Sequence, residues 1–156
     1  MIINSHSVKE TLRVGRSLAH NLERGDIICL FGNLGSGKTV LAKGIAEGLG
    51  IQKAKVISPT FVLIREHHYG KLPLFHFDLY RLRNPEDILA LGYEEYFYND
   101  GIAIIEWADR LDYLLPKEFL KVELTLGNDS RRTLKFIPVG KRYQQLLEDV
   151  RENIRN

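Results

Sequence analysis

Hydrophobic residues recur at helical spacing in some segments and form short unbroken runs in others. Between residues 8 and 22 they return every three or four positions, which predicts a helix. Ser7 and Glu10 form a capping box at its start, and Arg24-Gly25 supply a basic last turn and a stop. The stretch 26–31 is apolar without polar alternation, which is typical of a strand buried on both faces of a parallel sheet.

The rest of the chain mixes the same two patterns and predicts an α/β fold. The predicted elements are a helix over about 38–49, a pair of strands or hairpin at 61–64 and 72–79, a helix beginning at 84–87, a second buried strand at 102–105, an antiparallel hairpin over 120–126 and 134–136, and a last helix with its apolar stripe between 143 and 154. We expect a mostly parallel central sheet flanked by helices, with the antiparallel hairpin near the C-terminus.

Length and charge narrow the possible functions. The 156 residues fit a single domain, 1–156, and neither a repeat nor a low-complexity segment is visible. With 22 basic and 20 acidic residues the net charge is only +2, which argues against a protein that coats nucleic acid unaided. Cys29 is the one cysteine and can form no internal disulfide. No signal sequence or membrane-length apolar run is visible, so we expect a cytoplasmic location.

A glycine-rich loop follows the first buried strand and fits the pattern G-x-x-x-x-G-K-[ST] of a P-loop nucleotide-binding site. Such glycines let backbone N–H groups curl around phosphate oxygens, and the following helix adds the positive end of its dipole. We expect Lys38 to reach the β- and γ-phosphates and Thr39 to hold Mg²⁺. The expected nucleotide-binding residues here are Gly32, Asn33, Leu34, Gly35, Ser36, Gly37, Lys38, Thr39 and Val40.

A P-loop enzyme needs a second metal-holding group, usually a carboxylate at the end of a buried strand. Glu106 ends the apolar run 102–105 and is the first choice, although a glutamate that merely caps the strand would look the same. His76, Asp78 and Tyr80 share one face of a predicted strand. They are either a catalytic row, in which Asp78 orients the attacking water, or the polar outer face of a half-buried strand. A transition-metal site on His76 and Asp78 lacks evident further ligands.

Three further features bear on the nucleotide. Ser58-Pro59-Thr60 is either a turn or a switch loop that senses the γ-phosphate. Trp107, the one tryptophan, directly follows Glu106 and is either a core residue or part of the site edge. No guanine-reading Asn-Lys-x-Asp motif is present, so ATP is the expected nucleotide.

The four motifs together resemble the TsaE (YjeE) family of P-loop ATPases. They are the P-loop, Ser58-Pro59-Thr60-Phe61, the segment His76 to Arg81, and Ile104-Ile105-Glu106-Trp107. The resemblance implies that Thr39 and Glu106 are Mg²⁺ ligands and that Asp78 is an essential acid near the γ-phosphate. Lys38, Asp78 and Glu106 are thus the expected catalytic residues. The resemblance also implies that Trp107, Thr11 and Arg132 lie near the nucleotide.

The same resemblance implies a role in bacterial tRNA threonylcarbamoyladenosine (t6A) synthesis. A family member would bind the TsaB–TsaD complex, reach tRNA only through it, and reset it between turnovers by Mg²⁺-dependent ATP hydrolysis. Two alternatives remain open from the residues alone: a small-molecule kinase, and a nucleotide-sensing adaptor that barely hydrolyses ATP. A kinase would usually show an arginine-rich lid, whereas the arginines here are scattered.

Overall fold

The computed structural model describes residues 1–52, 63–98 and 100–155. Within them one seven-stranded sheet has the spatial order β1-β7-β6-β2-β5-β4-β3. The strands are β1 (Ile2–Ser5), β2 (Ile27–Phe31), β3 (Ile64–His67), β4 (Leu74–Asp78), β5 (Ile102–Glu106), β6 (Phe119–Leu126) and β7 (Arg132–Val139).

The centre of the sheet is parallel and its margins are antiparallel. Strands β6, β2, β5 and β4 run in the same direction, whereas β7, β1 and β3 each run against their neighbours. This confirms the predicted α/β class, with its parallel core and its antiparallel hairpin of β6 and β7. Strand β2 lies in the middle, so its residues are buried on both faces, which explains the unbroken apolar run.

Helices of unequal length cover the two faces of the sheet. They are α1 (Val8–Ala19), α2 (Lys38–Gly48), α3 (Glu86–Leu89), α4 (Tyr93–Phe97) and α5 (Lys141–Arg155), with a 3₁₀ segment over Ala108–Leu114. Helices α1, α2 and α5 pack on the face that carries Ile28 and Leu30. The short helices and the 3₁₀ segment pack on the face that carries Ile27 and Cys29. None of the helices in the described ranges has the length and apolar character to cross a membrane.

The start of α1 has one bond of the predicted capping box, while the reciprocal bond is shifted by one residue, from Ser7 to His6. The Ser7 hydroxyl accepts a hydrogen bond from the Glu10 backbone N–H at 3.1 Å, and the Glu10 carboxylate accepts one from the His6 N–H at 2.7 Å. The helix stops at Ala19, five residues before Arg24, so the prediction that Arg24 lies in its last turn is wrong. Leu22 is still buried in the same core, but it reaches that core from the turn after the helix.

Other boundaries also differ from the sequence pattern. Strand β3 runs over Ile64–His67 and so extends beyond the predicted end at 64, while residues 61 and 62 of that prediction lie outside the described ranges. Helix α3 begins close to the predicted start at 84–87 but lasts only one turn. Strand β1 and the 3₁₀ segment were not predicted.

Helices α1 and α2 approach each other through glycines. A Cβ on Gly44 would lie 2.5 Å from the backbone oxygen of Leu12, and a Cβ on Gly15 would lie 2.7 Å from the backbone nitrogen of Ile45. Contacts this short do not occur for real side chains. The two backbones therefore touch directly, and α1 fixes the position of the helix that follows the P-loop.

Candidate active site

The P-loop connects the end of β2 to the start of α2. Gly35 and Gly37 have φ angles of 77° and 107°, a region that residues with a side chain rarely adopt. Gly37 caps α2, so the helix begins at Lys38 and its first free N–H groups lie at the loop. This is the strand–loop–helix arrangement that a phosphate site requires.

The Lys38 ammonium lies inside the loop. Its Nζ donates to the carbonyl oxygen of Gly32 at 2.5 Å and to that of Asn33 at 2.9 Å. It also lies 3.9 Å from the centre of the Trp107 ring, a cation–π contact. Burial lowers the pKa of the Lys38 amine, and the nearby carboxylates of Glu106 and Asp78 oppose that shift.

Two carboxylates lie side by side where β4 and β5 end. In the parallel pairing of these strands Asp78 is opposite Glu106, and both residues are buried. Every residue of β4 is buried, so the interpretation of this strand as having a polar outer face is wrong. Asp78 also accepts a hydrogen bond from the Tyr80 backbone N–H at 3.0 Å, which fixes one of its oxygens.

The Glu106 carboxylate joins three parts of the fold. Its Oε1 accepts a hydrogen bond from the Thr39 hydroxyl at 2.6 Å, and its Oε2 lies 2.5 Å from Nε2 of His76. Thr39 belongs to α2, Glu106 to β5 and His76 to β4. Glu106 is therefore more than a strand cap, because it ties the first turn of α2 to two neighbouring strands.

These groups surround a cavity of about 370 Å³ at the carboxyl ends of the parallel strands. This is the position at which open α/β sheets bind ligands. Its lining residues are Leu34, Gly35, Gly37, Lys38, Thr39, Val40, Asp78, Tyr80, Glu106, Trp107 and Arg132. The structure thus brings together most of the residues that the sequence suggested, including Arg132 from the distant strand β7.

Four of the suggested residues lie outside this lining. Gly32, Asn33 and Ser36 belong to the loop but line a neighbouring hollow against the end of β6. Thr11 is fully buried in α1, where its hydroxyl shares a 2.7 Å hydrogen bond with Ser5. The suggested switch loop, Ser58-Pro59-Thr60, lies outside the described residues.

Hard oxygen ligands of the kind that Mg²⁺ prefers are present at the cavity wall. The Thr39 hydroxyl and the Glu106 carboxylate already share a hydrogen bond, so one ion could contact both oxygens. Mg²⁺ also keeps waters and binds nucleotide phosphates, so it needs few protein ligands. In the described ranges no group of three or more His, Cys, Asp or Glu could hold a metal by itself, and the transition-metal idea for His76 and Asp78 gains no support.

Tyr80 and His76 contact the candidate site, although neither was among the expected nucleotide-binding, metal-binding or catalytic residues. Tyr80 lines the cavity, is 41% exposed, and its ring lies 5.0 Å from that of Trp107. His76 is fully buried against Glu106. The alternation of His76, Asp78 and Tyr80 had already indicated both side chains as members of a possible catalytic row. Trp107 has a positive φ of 56° and packs on the core beside the cavity, so it is both a core residue and a site residue.

Comparison with protein families places this chain in a known group. Residues 5–134 match the family described as "Threonylcarbamoyl adenosine biosynthesis protein TsaE". The chain belongs to the TsaE family. The match includes the P-loop, both buried carboxylates and Trp107, and it ends within β7, just beyond Arg132.

Individual members of the TsaE family are similar over most of their length. A protein from Bacillus subtilis named "tRNA threonylcarbamoyladenosine biosynthesis protein TsaE" is 40% identical over 150 residues, which are 95% of this chain and 93% of that protein. A protein of the same name from Nostoc is 40% identical over 83% of this chain and 81% of its own length. The crystal structure of YdiB from Bacillus subtilis has a TM-score of 0.87 at 35% identity, covering 98% of this chain and 95% of that one. The chain is thus a member of a family of t6A biosynthesis proteins.

Proposed function

We propose that this protein is the ATP-binding and ATP-hydrolysing component of the t6A machinery, and that it requires Mg²⁺. One observation carries the proposal: a P-loop with Lys38 and Thr39 shares its cavity with two buried carboxylates, Asp78 and Glu106. The loop is suited to phosphates, and the carboxylates to a metal ion and an attacking water.

Each residue has a distinct part in the proposed reaction. Lys38 leaves the carbonyl oxygens of its own loop and binds the β- and γ-phosphates. Thr39 and Glu106 would hold Mg²⁺, which would supply positive charge to neutralise the phosphates. Asp78 would orient the attacking water, because its buried carboxylate lines the cavity directly beside Glu106. Trp107 and Arg132, which both line the cavity, would border the nucleotide.

The proposed partner is the TsaB–TsaD complex, which hydrolysis would reset between turnovers. Membership in the TsaE family supports a place in t6A synthesis. The net charge of +2 supports contact with tRNA through partners rather than by direct grip on its phosphates. The proposal includes a cytoplasmic location, since tRNA is modified there.

The test measures ATP hydrolysis by the purified protein alone, then with TsaB, TsaD and tRNA. We expect slow turnover alone and faster turnover with the partners, and Lys38→Ala should abolish both. Phosphate transfer to a small metabolite would instead support the kinase alternative. In the described residues Arg132 is the one arginine that lines the cavity, so no arginine-rich lid favours that alternative. Tight ATP binding without turnover under any condition would favour the sensing adaptor.

A further inference from the structure

His76 is a buried histidine whose imidazole contacts the candidate metal ligand rather than the cavity itself. Its Nε2 lies 2.5 Å from Oε2 of Glu106, and neither side chain is more than 2% exposed. His76 does not line the cavity. We propose that His76 is a positioning residue, which orients the Glu106 carboxylate so that its other oxygen faces Thr39 and the metal. The inference rests on the proposed function, because it needs Mg²⁺ at this site.

The geometry determines which ring nitrogen carries a proton. Nε2 faces a carboxylate oxygen at hydrogen-bond distance, so a proton on Nε2 makes a favourable N–H···O bond. The opposite tautomer would set two lone pairs against each other at 2.5 Å. It would also leave a buried N–H on Nδ1 without an acceptor, since Nδ1 has no hydrogen-bond partner within the described ranges. His76 therefore donates and Glu106 accepts.

The consequence for Glu106 follows from its two oxygens. Donation from His76 to Oε2 and from Thr39 to Oε1 leaves the carboxylate one orientation that satisfies both donors. Without His76, Oε2 would be a buried acceptor with no other hydrogen-bond donor among the described residues, and the carboxylate would turn toward another donor or water. A histidine or carboxylate that orients a metal ligand typically changes metal affinity 10–100-fold when removed.

The experiment measures how strongly Mg²⁺ assists nucleotide binding. The dissociation constant of a non-hydrolysable ATP analogue is determined by calorimetry, once with EDTA and once with excess Mg²⁺. The constant in EDTA divided by the constant in Mg²⁺ is the Mg²⁺ effect. In His76→Leu we expect this ratio to fall about tenfold or more, while the constant in EDTA stays unchanged. His76→Gln, whose amide nitrogen can occupy the place of Nε2, should restore most of the ratio.

His67→Leu is the matched control. His67 is also a buried histidine, it lies on the adjacent strand β3, and its Nε2 has no hydrogen-bond partner in the described part of the chain. Its removal should leave the Mg²⁺ effect at the wild-type value. If His76→Leu does not fold, His76→Asn replaces it, because that amide is too short to reach Glu106.

The outcomes separate the two proposals. A wild-type protein that binds the analogue in neither condition would refute the proposed function. A wild-type protein that binds it with a large Mg²⁺ effect, together with an equal effect in folded His76→Leu, would overturn the role of His76 alone. An equal loss of the Mg²⁺ effect in His67→Leu and His76→Leu would also overturn it. Replacement of any buried histidine in this part of the sheet would then weaken the Mg²⁺ effect, and the contact with Glu106 would not be the cause.

Discussion

Replacement of Gly44 by alanine sets two known effects against each other, and the structure decides which is larger. Alanine is the better helix former, so helix propensity alone predicts that α2 gains about 0.5–1 kcal/mol. The added Cβ, however, would lie 2.5 Å from the Leu12 oxygen, 3.0 Å from the Leu12 Cα and 3.1 Å from the Gly15 Cα. All three are backbone atoms, so no side-chain rotation can relieve the contact.

The packing cost should exceed the gain in propensity. Overpacking of a close-packed interior typically costs about 1–3 kcal/mol, here because α1 and α2 must separate along their line of contact. The expected net loss in the free energy of unfolding is about 0.5–2 kcal/mol. For a protein of this size, 1 kcal/mol corresponds to about 2–4 °C, so Tm should fall by about 1–8 °C.

Thermal unfolding followed by circular dichroism measures this change. Lys9→Ala, at an exposed position of the neighbouring helix α1, is the control and should change stability by no more than about 0.5 kcal/mol. The double variant Gly15→Ala/Gly44→Ala should lose less than the sum of the single losses, because helices that have separated once have room for both methyl groups. A Tm above the wild-type value for Gly44→Ala would refute the reasoning, since propensity would then outweigh the backbone contact.

Three further predictions concern the site and the core. Lys38→Ala should abolish tight ATP binding in a calorimetric titration, because the phosphates lose their cation; an unchanged affinity would contradict the role given to Lys38. Asp78→Ala should keep nucleotide binding and lose hydrolysis, and turnover near the wild-type rate would make Asp78 structural. Burial raises the pKa of Tyr143 from 10.0 to about 12. The folded state then holds this proton more tightly than the unfolded state, so stability should fall between pH 10 and pH 12, by at most about 1.4 kcal/mol per pH unit. Denaturant titrations should show a shallower decline for Tyr143→Phe, and an unchanged decline would assign it to other groups.

The sequence predicted the elements whose pattern is local. The P-loop, the buried runs of β2 and β5 and the alternating hairpin each contain their own signal within a few residues. Strand β1 has no such signal: Ile2 is 63% exposed, and the strand forms only because β7 provides a partner. The placement of β6 beside β2 likewise depends on contacts between residues far apart in the chain, which periodicity does not report.

The candidate site likewise contains residues that a local motif identifies and contacts that depend on strand pairing. Lys38 and Thr39 are fixed by their motif, whereas the bond between His76 and Glu106 joins residues 30 positions apart. That bond exists because β4 pairs with β5 in the register that sets Asp78 opposite Glu106, which makes His76 a diagonal neighbour on the same face. Sequence alone gave the residue types but not this register. Thr11 shows the reverse case, a family match whose hydroxyl is taken up by Ser5.

The strand order also bears on the synthesis of the protein. Strand β2 is made early, but both of its neighbours in the sheet, β5 and β6, come more than seventy residues later. Strand β1 can pair only later in synthesis, since its partner β7 is complete only at Val139. A ribosome-bound chain that ends before Phe119 therefore exposes an apolar central strand that lacks β6, one of its two neighbours. Truncation before β6 should consequently yield an aggregating chain rather than a smaller folded unit, even though the whole P-loop is already present.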